Sequence, residues 1–211
     1  MTVAPLALQV DGLRFAHAGR PLWDGWSHRW SPGVSLVLGG DGAGKSTLLR
    51  LLAGTERAQG GRITLTGVDA GQGAPYRAQV AWTDPRQPGL PAQDGLTPAR
   101  WWQTLPARYP GWRAADLQTH IDGWALAPHQ DKPFHALSTG TQRKVFMAAA
   151  LASGAPLTLI DEPVAGLDKA SVAYLQSALD ALAVQRERII LVAHYEPLAG
   201  VRWQDVVQLP D

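Results

Sequence analysis

The sequence contains no cysteine, which excludes disulfides, thiolate metal sites and cysteine nucleophiles. Its longest apolar stretches, such as residues 145–152, are far shorter than the roughly 18 residues that a membrane-spanning helix needs. Lysine and arginine together number 19 against 18 aspartates and glutamates, so the net charge is +1 and no basic block is present. Without such a block nothing attracts a phosphate backbone, and we expect no nucleic-acid partner.

The N-terminal stretch MTVAPLALQV has neither a basic leader nor a long apolar core, so we expect no signal peptide and a cytoplasmic chain. A chain of 211 residues can form one domain with a substantial core, and we expect a single domain over residues 1–211. The last predicted strand lies close to Asp211, so we expect no C-terminal regulatory domain.

The sequence does contain the run GGDGAGKST at residues 39–47, which fits the phosphate-binding loop G-x-x-x-x-G-K-[ST]. An apolar, strand-like run at 34–38 precedes it and a helix-like segment at 47–53 follows it. Backbone N–H groups in such a turn converge on an anion at the positive end of the helix dipole. We expect Lys45 to reach the β- and γ-phosphates of a nucleoside triphosphate and the Ser46 hydroxyl to hold Mg²⁺. The loop residues predicted to bind the nucleotide are Gly39, Gly40, Asp41, Gly42, Ala43, Gly44, Lys45, Ser46 and Thr47.

Hydrophobic periodicity and turn residues predict an α/β chain that begins with strands, continues into helices and returns to buried strands. The predicted strands are residues 6–10, 26–30, 34–38, 62–66, 79–83, 157–160 and 188–193, with a loop at 67–75. A helical insert is predicted at about residues 95–140, with one helix that ends before Pro106 and a second at 113–122. Apolar residues three and four apart predict an amphipathic helix at 171–186.

Residues 157–162 read LTLIDE, an apolar strand that ends in two acids. The carboxyl end of a parallel strand lies beside the loop that follows a neighbouring strand, where nucleotide-bound Mg²⁺ would be. We assign Asp161 to Mg²⁺, directly or through water. We assign Glu162 to the attacking water, as its general base or as the group that orients it. Taken alone, two acids after a strand equally fit a cap for the next turn, but the phosphate loop upstream favours the catalytic interpretation.

With these motifs in place, the segment LSTGTQRK at residues 137–144 resembles the LSGGQ signature of the nucleotide-binding subunits of ATP-binding cassette (ABC) transporters. The segment AGLD at 165–168 resembles that family's D-loop, and His194 resembles its switch histidine. Order and spacing match from about residue 6 to the C-terminus. The resemblance implies a P-loop NTPase of ABC type, with a mainly parallel sheet core, an N-terminal antiparallel β subdomain and an inserted helical subdomain.

The resemblance also implies a mechanism, in which two cassettes dimerise head to tail around two ATP molecules and drive a transmembrane permease. Each ATP lies on the phosphate loop of one subunit and is covered by the signature segment of the other. Glu162 would act on the water, His194 would contact the γ-phosphate and Asp168 would align the subunits. The expected partners are therefore a permease and a second cassette, with a homodimer favoured, at the inner face of the membrane. The signature residues implied to contact ATP are Ser138, Thr139 and Gly140.

The chain departs from the family pattern in three places. Its signature has Thr139 where glycine is usual and Thr141 where glutamine is usual. His17 stands at the place of the aromatic residue that stacks on adenine, and we expect loose base selectivity because imidazole stacks more weakly. Gln87 is assigned to the glutamine loop that senses Mg²⁺. The alternatives for that position are Thr83, Asp84 and Pro85.

Three other functions compete with this interpretation. A soluble ABC-type ATPase for DNA repair, translation or cofactor assembly usually adds coiled coils, tandem cassettes or basic extensions, which the sequence lacks. A dimerisation module that barely hydrolyses ATP would account for Thr139 and Thr141, but the intact catalytic set argues against it. A P-loop kinase would not need the segment at 137–141. The intact catalytic set is Lys45, Asp161, Glu162 and His194.

Nine tryptophans are unusual for this length, and several lie between residues 101 and 124. They form either a docking face for a helix of the permease or the aromatic core of the helical insert. The segment YPGW at 109–112, together with the compact size, favours an exporter-type cassette. The transported substrate cannot be inferred, because the permease selects it in this family.

Overall fold

The computed structural model describes residues 5–17, 20–83 and 95–209, and these residues form two sheets and six α-helices. The strands are β1 (Leu8–His17), β2 (Arg20–Trp30), β3 (Gly33–Leu38), β4 (Gly60–Leu65), β5 (Val68–Asp69), β6 (Val80–Ala81), β7 (Leu157–Asp161), β8 (Ile189–His194) and β9 (Asp205–Gln208). The α-helices are α1 (Lys45–Leu52), α2 (Ala74–Arg77), α3 (Pro98–Arg108), α4 (Ala114–Gly123), α5 (Thr139–Ala152) and α6 (Lys169–Gln185). Over the described ranges, no helix has the length and apolar character needed to cross a bilayer.

The larger sheet has the strand order β6-β7-β8-β3-β9, and every neighbouring pair is parallel. Its central strands β3, β7 and β8 are buried almost throughout, which explains their near-continuous apolar sequences. Leu38 of β3 pairs with His194 of β8, and Asp161 of β7 pairs with Ala193 of β8. The three strands therefore end together at one edge of the sheet, and the predicted site residues follow directly from that edge.

The smaller sheet is antiparallel, in the order β2-β1-β4-β5, and its strands come from the N-terminal third of the chain. Alternate residues of β1, including Leu8 and Val10, are buried in one cluster with the leucines of α1. These two sheets and the helices between β6 and β7 confirm the predicted α/β fold, with its mainly parallel core, antiparallel subdomain and helical insert.

Two local predictions are wrong. The first helix of the insert does not end before Pro106 but continues to Arg108, and the Tyr109 amide bonds the Leu105 carbonyl at 2.9 Å. Proline removes one helical hydrogen bond. Trp102 and Leu105 of the same helix are buried, however, and their burial stabilises the helical turn that contains Pro106. The segment at 67–75 is not all loop, because it contains β5 and the start of α2.

Aromatic residues form much of the core of the insert. Trp102 and Trp124 are buried, and the Trp101 ring meets Phe134 and Phe146 edge-on, with centroids 5.9 and 5.3 Å apart. Edge-to-face pairs at this separation are favourable. The structure therefore supports the core interpretation for these tryptophans.

His120 is buried and joins the insert to α6 through a partly buried polar contact. Its Nδ1 lies 2.8 Å from the Tyr174 hydroxyl, which donates to the Thr119 carbonyl at 3.1 Å. Beside it, Trp124 Nε1 donates to the Ser171 carbonyl at 3.1 Å. Burial lowers the pKa of His120 from its ordinary 6.5 to about 4.

We predict that this histidine makes the fold acid-sensitive. Between pH 6.5 and about 4 the unfolded chain binds a proton at His120 that the folded chain excludes, so stability falls as the pH falls. The loss is at most about 3 kcal/mol. Urea unfolding of His120→Gln across this range should show a weaker pH dependence than wild type. His135→Gln, at an exposed position of the insert, should keep the wild-type dependence. Equal dependence in His120→Gln and wild type would contradict the prediction.

Candidate functional site

The phosphate loop joins the end of β3 to α1 and folds around Lys45. Gly44 has a φ of 91°, and a Cβ there would lie 3.1 Å from the ring of Trp23, so glycine suits both the backbone and the space. Lys45 Nζ donates to the carbonyls of Gly39 and Gly40 at 2.8 and 2.9 Å. Because α1 begins at Lys45, the positive end of its dipole lies at this loop.

A cavity of about 390 Å³ opens over the loop, which is within the size range of small-molecule sites. His17 lies exposed at its rim, opposite Arg20 in the β1–β2 pair. Gly39 and Ala43 belong to the loop but do not line the cavity. The lining residues are His17, Arg20, Leu22, Gly40, Asp41, Gly42, Gly44, Lys45, Ser46, Thr47, Arg50 and Glu162.

The two acids at the end of β7, Asp161 within the strand and Glu162 directly after it, lie in different surroundings. Asp161 is buried at the end of the strand. Glu162 is more open, and its Oε1 lies 3.1 Å from Lys45 Nζ while its Oε2 lies 2.7 Å from His194 Nδ1. His194 is buried, and its Nε2 has no hydrogen-bond partner among the described residues. The structure thus brings the three predicted catalytic residues into one chain of contacts at the edge of the sheet.

The backbone of Glu162 is unusual, with a φ of 45°. A left-handed conformation costs a non-glycine residue on the order of 1–3 kcal/mol. The Glu162 amide donates to the Ala193 carbonyl at 2.9 Å, and the Glu162 carbonyl accepts from the Ala165 amide at 3.4 Å. The guanidinium of Arg143, on α5, also donates to the Glu162 carbonyl. Three parts of the chain therefore hold this conformation.

The signature residues form the start of α5. Ser138 is the N-cap, its Oγ accepts from the Thr141 amide at 3.2 Å, and the two hydroxyls are 2.9 Å apart. Thr139 is exposed. Gly140 packs on the D-loop segment, because a Cβ there would lie 2.2 Å from the Gly166 carbonyl oxygen. Among the described residues that line the cavity over the phosphate loop, none comes from this segment.

Asp168 is the N-cap of α6. Its carboxylate accepts from the Ser171 amide at 2.8 Å and from the Ser171 hydroxyl at 3.0 Å. These hydrogen bonds, with the amide bond first, lower the pKa of Asp168. Lys144 Nζ is 4.0 Å away. The described structure gives Asp168 a local helix-capping role, and its alignment of two subunits stays a prediction.

The glutamine-loop assignment falls largely beyond the structure. Gln87, Asp84 and Pro85 lie outside the described residues. Thr83 is described, and it lines a small groove between α5 and β7 together with Arg143 and Asp161.

Sequence reasoning missed several residues of the site. Arg20 and Leu22 share a face of β2 because side chains alternate along a strand, and this alternation was an available signal. Arg50 lies one helical turn after Thr47, and its Nη2 donates to the Thr47 hydroxyl at 3.2 Å. The contact of Arg143 with Glu162 had no local signal, since it joins α5 to the end of β7.

Comparison with protein families and curated proteins gives a consistent result. The family model described as ABC transporter matches residues 30–165. The chain is 32% identical over 190 residues to the cytochrome c biogenesis ATP-binding export protein CcmA of Brucella abortus (strain 2308), covering 90% of this chain and 86% of that protein. It is also 32% identical over 205 residues to the CcmA protein of Pseudomonas savastanoi pv. phaseolicola (strain 1448A / Race 6), covering 92% and 91%.

Solved structures share the fold. A putative ABC transporter ATP-binding protein from Pyrococcus furiosus superposes with a TM-score of 0.74 at 19% identity, covering 96% of this chain and 97% of that one. The structure of an ATP binding subunit of an ABC transporter gives a TM-score of 0.74 at 23% identity, covering 89% and 79%. At these identities the likeness concerns the fold alone.

We predict that Gly140→Ala destabilises the chain. The added methyl would lie 2.2 Å from the Gly166 carbonyl oxygen, so α5 must move away from the D-loop segment. The expected loss is about 1–3 kcal/mol of the free energy of unfolding, measured by urea denaturation. The control is Thr139→Ala, at the exposed neighbouring position, which should change the midpoint little. A wild-type midpoint for Gly140→Ala would contradict the predicted close packing.

Proposed function

The chain belongs to the ABC transporter family, and on this premise we propose how its residues bind and hydrolyse ATP. It is the ATP-binding and ATP-hydrolysing subunit of a membrane transporter and drives a separate permease. We further propose that residues 1–211 form one nucleotide-binding domain. The observation that carries the proposed mechanism is the chain of contacts from Lys45 through Glu162 to His194.

Lys45 is placed to exchange one partner for a phosphate. Its ammonium has three protons, two of which go to the carbonyls of Gly39 and Gly40 while the third faces Glu162. A γ-phosphate oxygen would replace the Glu162 carboxylate as the third acceptor. Glu162 would then be released to act on the attacking water, while Lys45 keeps a negative partner throughout.

Glu162 would take a proton from the attacking water. At the same time the water oxygen bonds to the γ-phosphorus, and the bond between the γ-phosphorus and the bridging β-phosphate oxygen breaks. His194 Nδ1 must be the donor in its contact with Glu162, because a carboxylate only accepts. The buried Nε2 of His194 therefore donates to a γ-phosphate oxygen only when the ring is an imidazolium. In that form His194 adds positive charge where negative charge develops.

The donor set also fits Mg²⁺, which prefers oxygen ligands. We propose that the Ser46 hydroxyl and the Asp161 carboxylate hold the ion, with Gln87 as a further ligand. No group of three or more His, Cys, Asp or Glu side chains suited to a metal occurs in the described ranges. Phosphate oxygens and water would complete the shell, as is usual for this ion. When bound, Mg²⁺ neutralises charge on the phosphates.

We further propose that two copies dimerise head to tail. Ser138 and Thr139 are exposed at the N-terminus of α5, where the helix dipole is positive, and they would contact the γ-phosphate of the ATP bound by the partner. Gly140 would bring the backbone of this turn close, and Asp168 would align the two copies. Loss of the γ-phosphate removes charge that holds the copies together and reopens the dimer. His17 would face the base and stack on it weakly.

The permease would hold the subunit at the cytoplasmic face of the membrane. We propose an export role, because the relatives with 32% identity are named cytochrome c biogenesis ATP-binding export proteins. The exporter-type character predicted from the sequence agrees with this assignment.

The first test is Mg²⁺-ATP hydrolysis by the purified chain over a range of protein concentrations, beside Glu162→Gln. Specific activity should rise with concentration, because the active form is a dimer. Glu162→Gln should lower kcat by at least about 100-fold and still dimerise with ATP in gel filtration. The control is Glu187→Gln, whose carboxylate pairs with Arg113 and does not line the cavity, and which should keep full activity.

Two outcomes would contradict these assignments. A wild-type chain that binds ATP but stays monomeric and inactive would show that it needs its permease or a different cassette. Undiminished hydrolysis by Glu162→Gln would remove Glu162 from the catalytic role.

Removal of Mg²⁺ by chelation should abolish hydrolysis but leave ATP binding measurable with a fluorescent ATP analogue. Asp161→Asn should raise the Mg²⁺ concentration for half-maximal hydrolysis by about tenfold or more, because it removes an anionic ligand. Asp116→Asn, on α4 near Arg113, is the matched control and should keep the wild-type requirement. The same Mg²⁺ requirement in Asp161→Asn and wild type would exclude Asp161 as the ligand.

A further inference from the structure

Arg143 makes a contact with the catalytic segment that none of the roles above uses. It lies on α5, in the second turn after the N-cap Ser138, and its Nη1 donates to the Glu162 carbonyl oxygen. Its side chain is half-buried in the groove between α5 and β7, which Asp161 also lines. Hydrogen bonds that involve a charged donor are roughly twice as strong as neutral ones.

The backbone at Glu162 depends on being held. Its φ of 45° is one that L-residues adopt at a cost, and the conformation persists only where neighbours fix it. The amide before its Cα is anchored on the Ala193 carbonyl at 2.9 Å. The carbonyl after its Cα is anchored by Arg143 and by the Ala165 amide. Because both flanking peptides are fixed, the direction of the Cα–Cβ bond of Glu162, which carries the carboxylate, is fixed as well.

Two neighbouring contacts join α5 to the same segment. Gly140 packs directly on the Gly166 carbonyl, and Lys144 Nζ lies 3.3 Å from the Ser171 hydroxyl. The first two turns of α5 therefore rest on the chain from Glu162 to the start of α6. Among these contacts, the Arg143 hydrogen bond reaches the catalytic residue itself.

We infer that Arg143 is a positioning residue for Glu162, which holds the Glu162 carbonyl so that the carboxylate stays within reach of Lys45, His194 and the attacking water. This inference rests on the catalytic role proposed for Glu162. Since α5 begins at the signature segment, any displacement of that helix is passed to the catalytic carboxylate through this guanidinium.

The test is Arg143→Met, which removes the donor and keeps an apolar stem of similar reach. Its kcat for ATP should fall about 10- to 100-fold, because a small misplacement of a catalytic group has effects of this size. KM and the affinity for a fluorescent ATP analogue should stay within about threefold. Arg143→Lys keeps one charged donor and should recover part of the lost kcat.

The matched control is Arg188→Met. Arg188 is also half-buried and donates to a main-chain carbonyl, that of Leu151 at 2.5 Å, but Leu151, unlike Glu162, does not line the cavity over the phosphate loop. This variant should lower the thermal midpoint and leave kcat unchanged. Equal falls in kcat for Arg143→Met and Arg188→Met would show that the Arg143 contact only stabilises the fold, and this result would overturn the inference.

A double-mutant cycle separates positioning from general damage. In a Glu162→Gln background, single-turnover hydrolysis should fall little further on adding Arg143→Met, because the carboxylate that Arg143 positions is already gone. Additive losses would overturn the inference. If Arg143→Met does not fold, Arg143→Gln, which is neutral and too short to reach, takes its place with the same expectations.

Failure of the inference is distinguishable from failure of the proposed function. Undiminished hydrolysis by Glu162→Gln alone would contradict the proposed mechanism. Hydrolysis that requires Glu162 but has a wild-type kcat in folded Arg143→Met would overturn only the role of Arg143.

Discussion

The parallel register of β3, β8 and β7 is the constraint on which the site depends. Leu38 lies opposite His194, and Asp161 lies opposite Ala193, so the three strands end within one residue of each other. The main-chain ladder sets this alignment whatever side chains follow it. The phosphate loop, Glu162 and His194 come from distant parts of the sequence, and they meet because each lies at the end of one of these strands or directly after it. Ligand sites of open α/β sheets form at this edge for the same reason.

The contacts among Lys45, Glu162 and His194 then solve an electrostatic problem. Lys45 is only 6% exposed, and a buried ammonium is costly unless acceptors surround it. Two loop carbonyls and the Glu162 carboxylate supply those acceptors. A phosphate carries the same sign of charge as the carboxylate, so it can take over as the third acceptor without leaving the ammonium bare. The interaction that stabilises the loop is thus also the one that ATP would replace to free Glu162, the proposed catalytic base.

Much of this arrangement could be predicted from the sequence, because strand, turn and helix signals are local. The apolar runs, the glycine-rich turn and the acids at the end of β7 were enough to predict the parallel core and to group Lys45 with Glu162. What could not be predicted depends on how distant elements dock. Pro106 lies inside a helix because burial outweighs its local cost, and neither the Arg143 contact nor the packing of Gly140 on Gly166 has any local signal.

The unusual signature can be understood from the same docking. Thr141 is in the first turn of α5, and its buried hydroxyl is 2.9 Å from that of the N-cap Ser138, so threonine here adds a polar contact that stabilises the start of the helix. Gly140 must stay small because of the Gly166 carbonyl in its own chain. Thr139, by contrast, is exposed beside Ser138. This departure from the signature therefore lies at the surface proposed to meet the partner's ATP, where it adds a second hydroxyl able to donate to a phosphate oxygen.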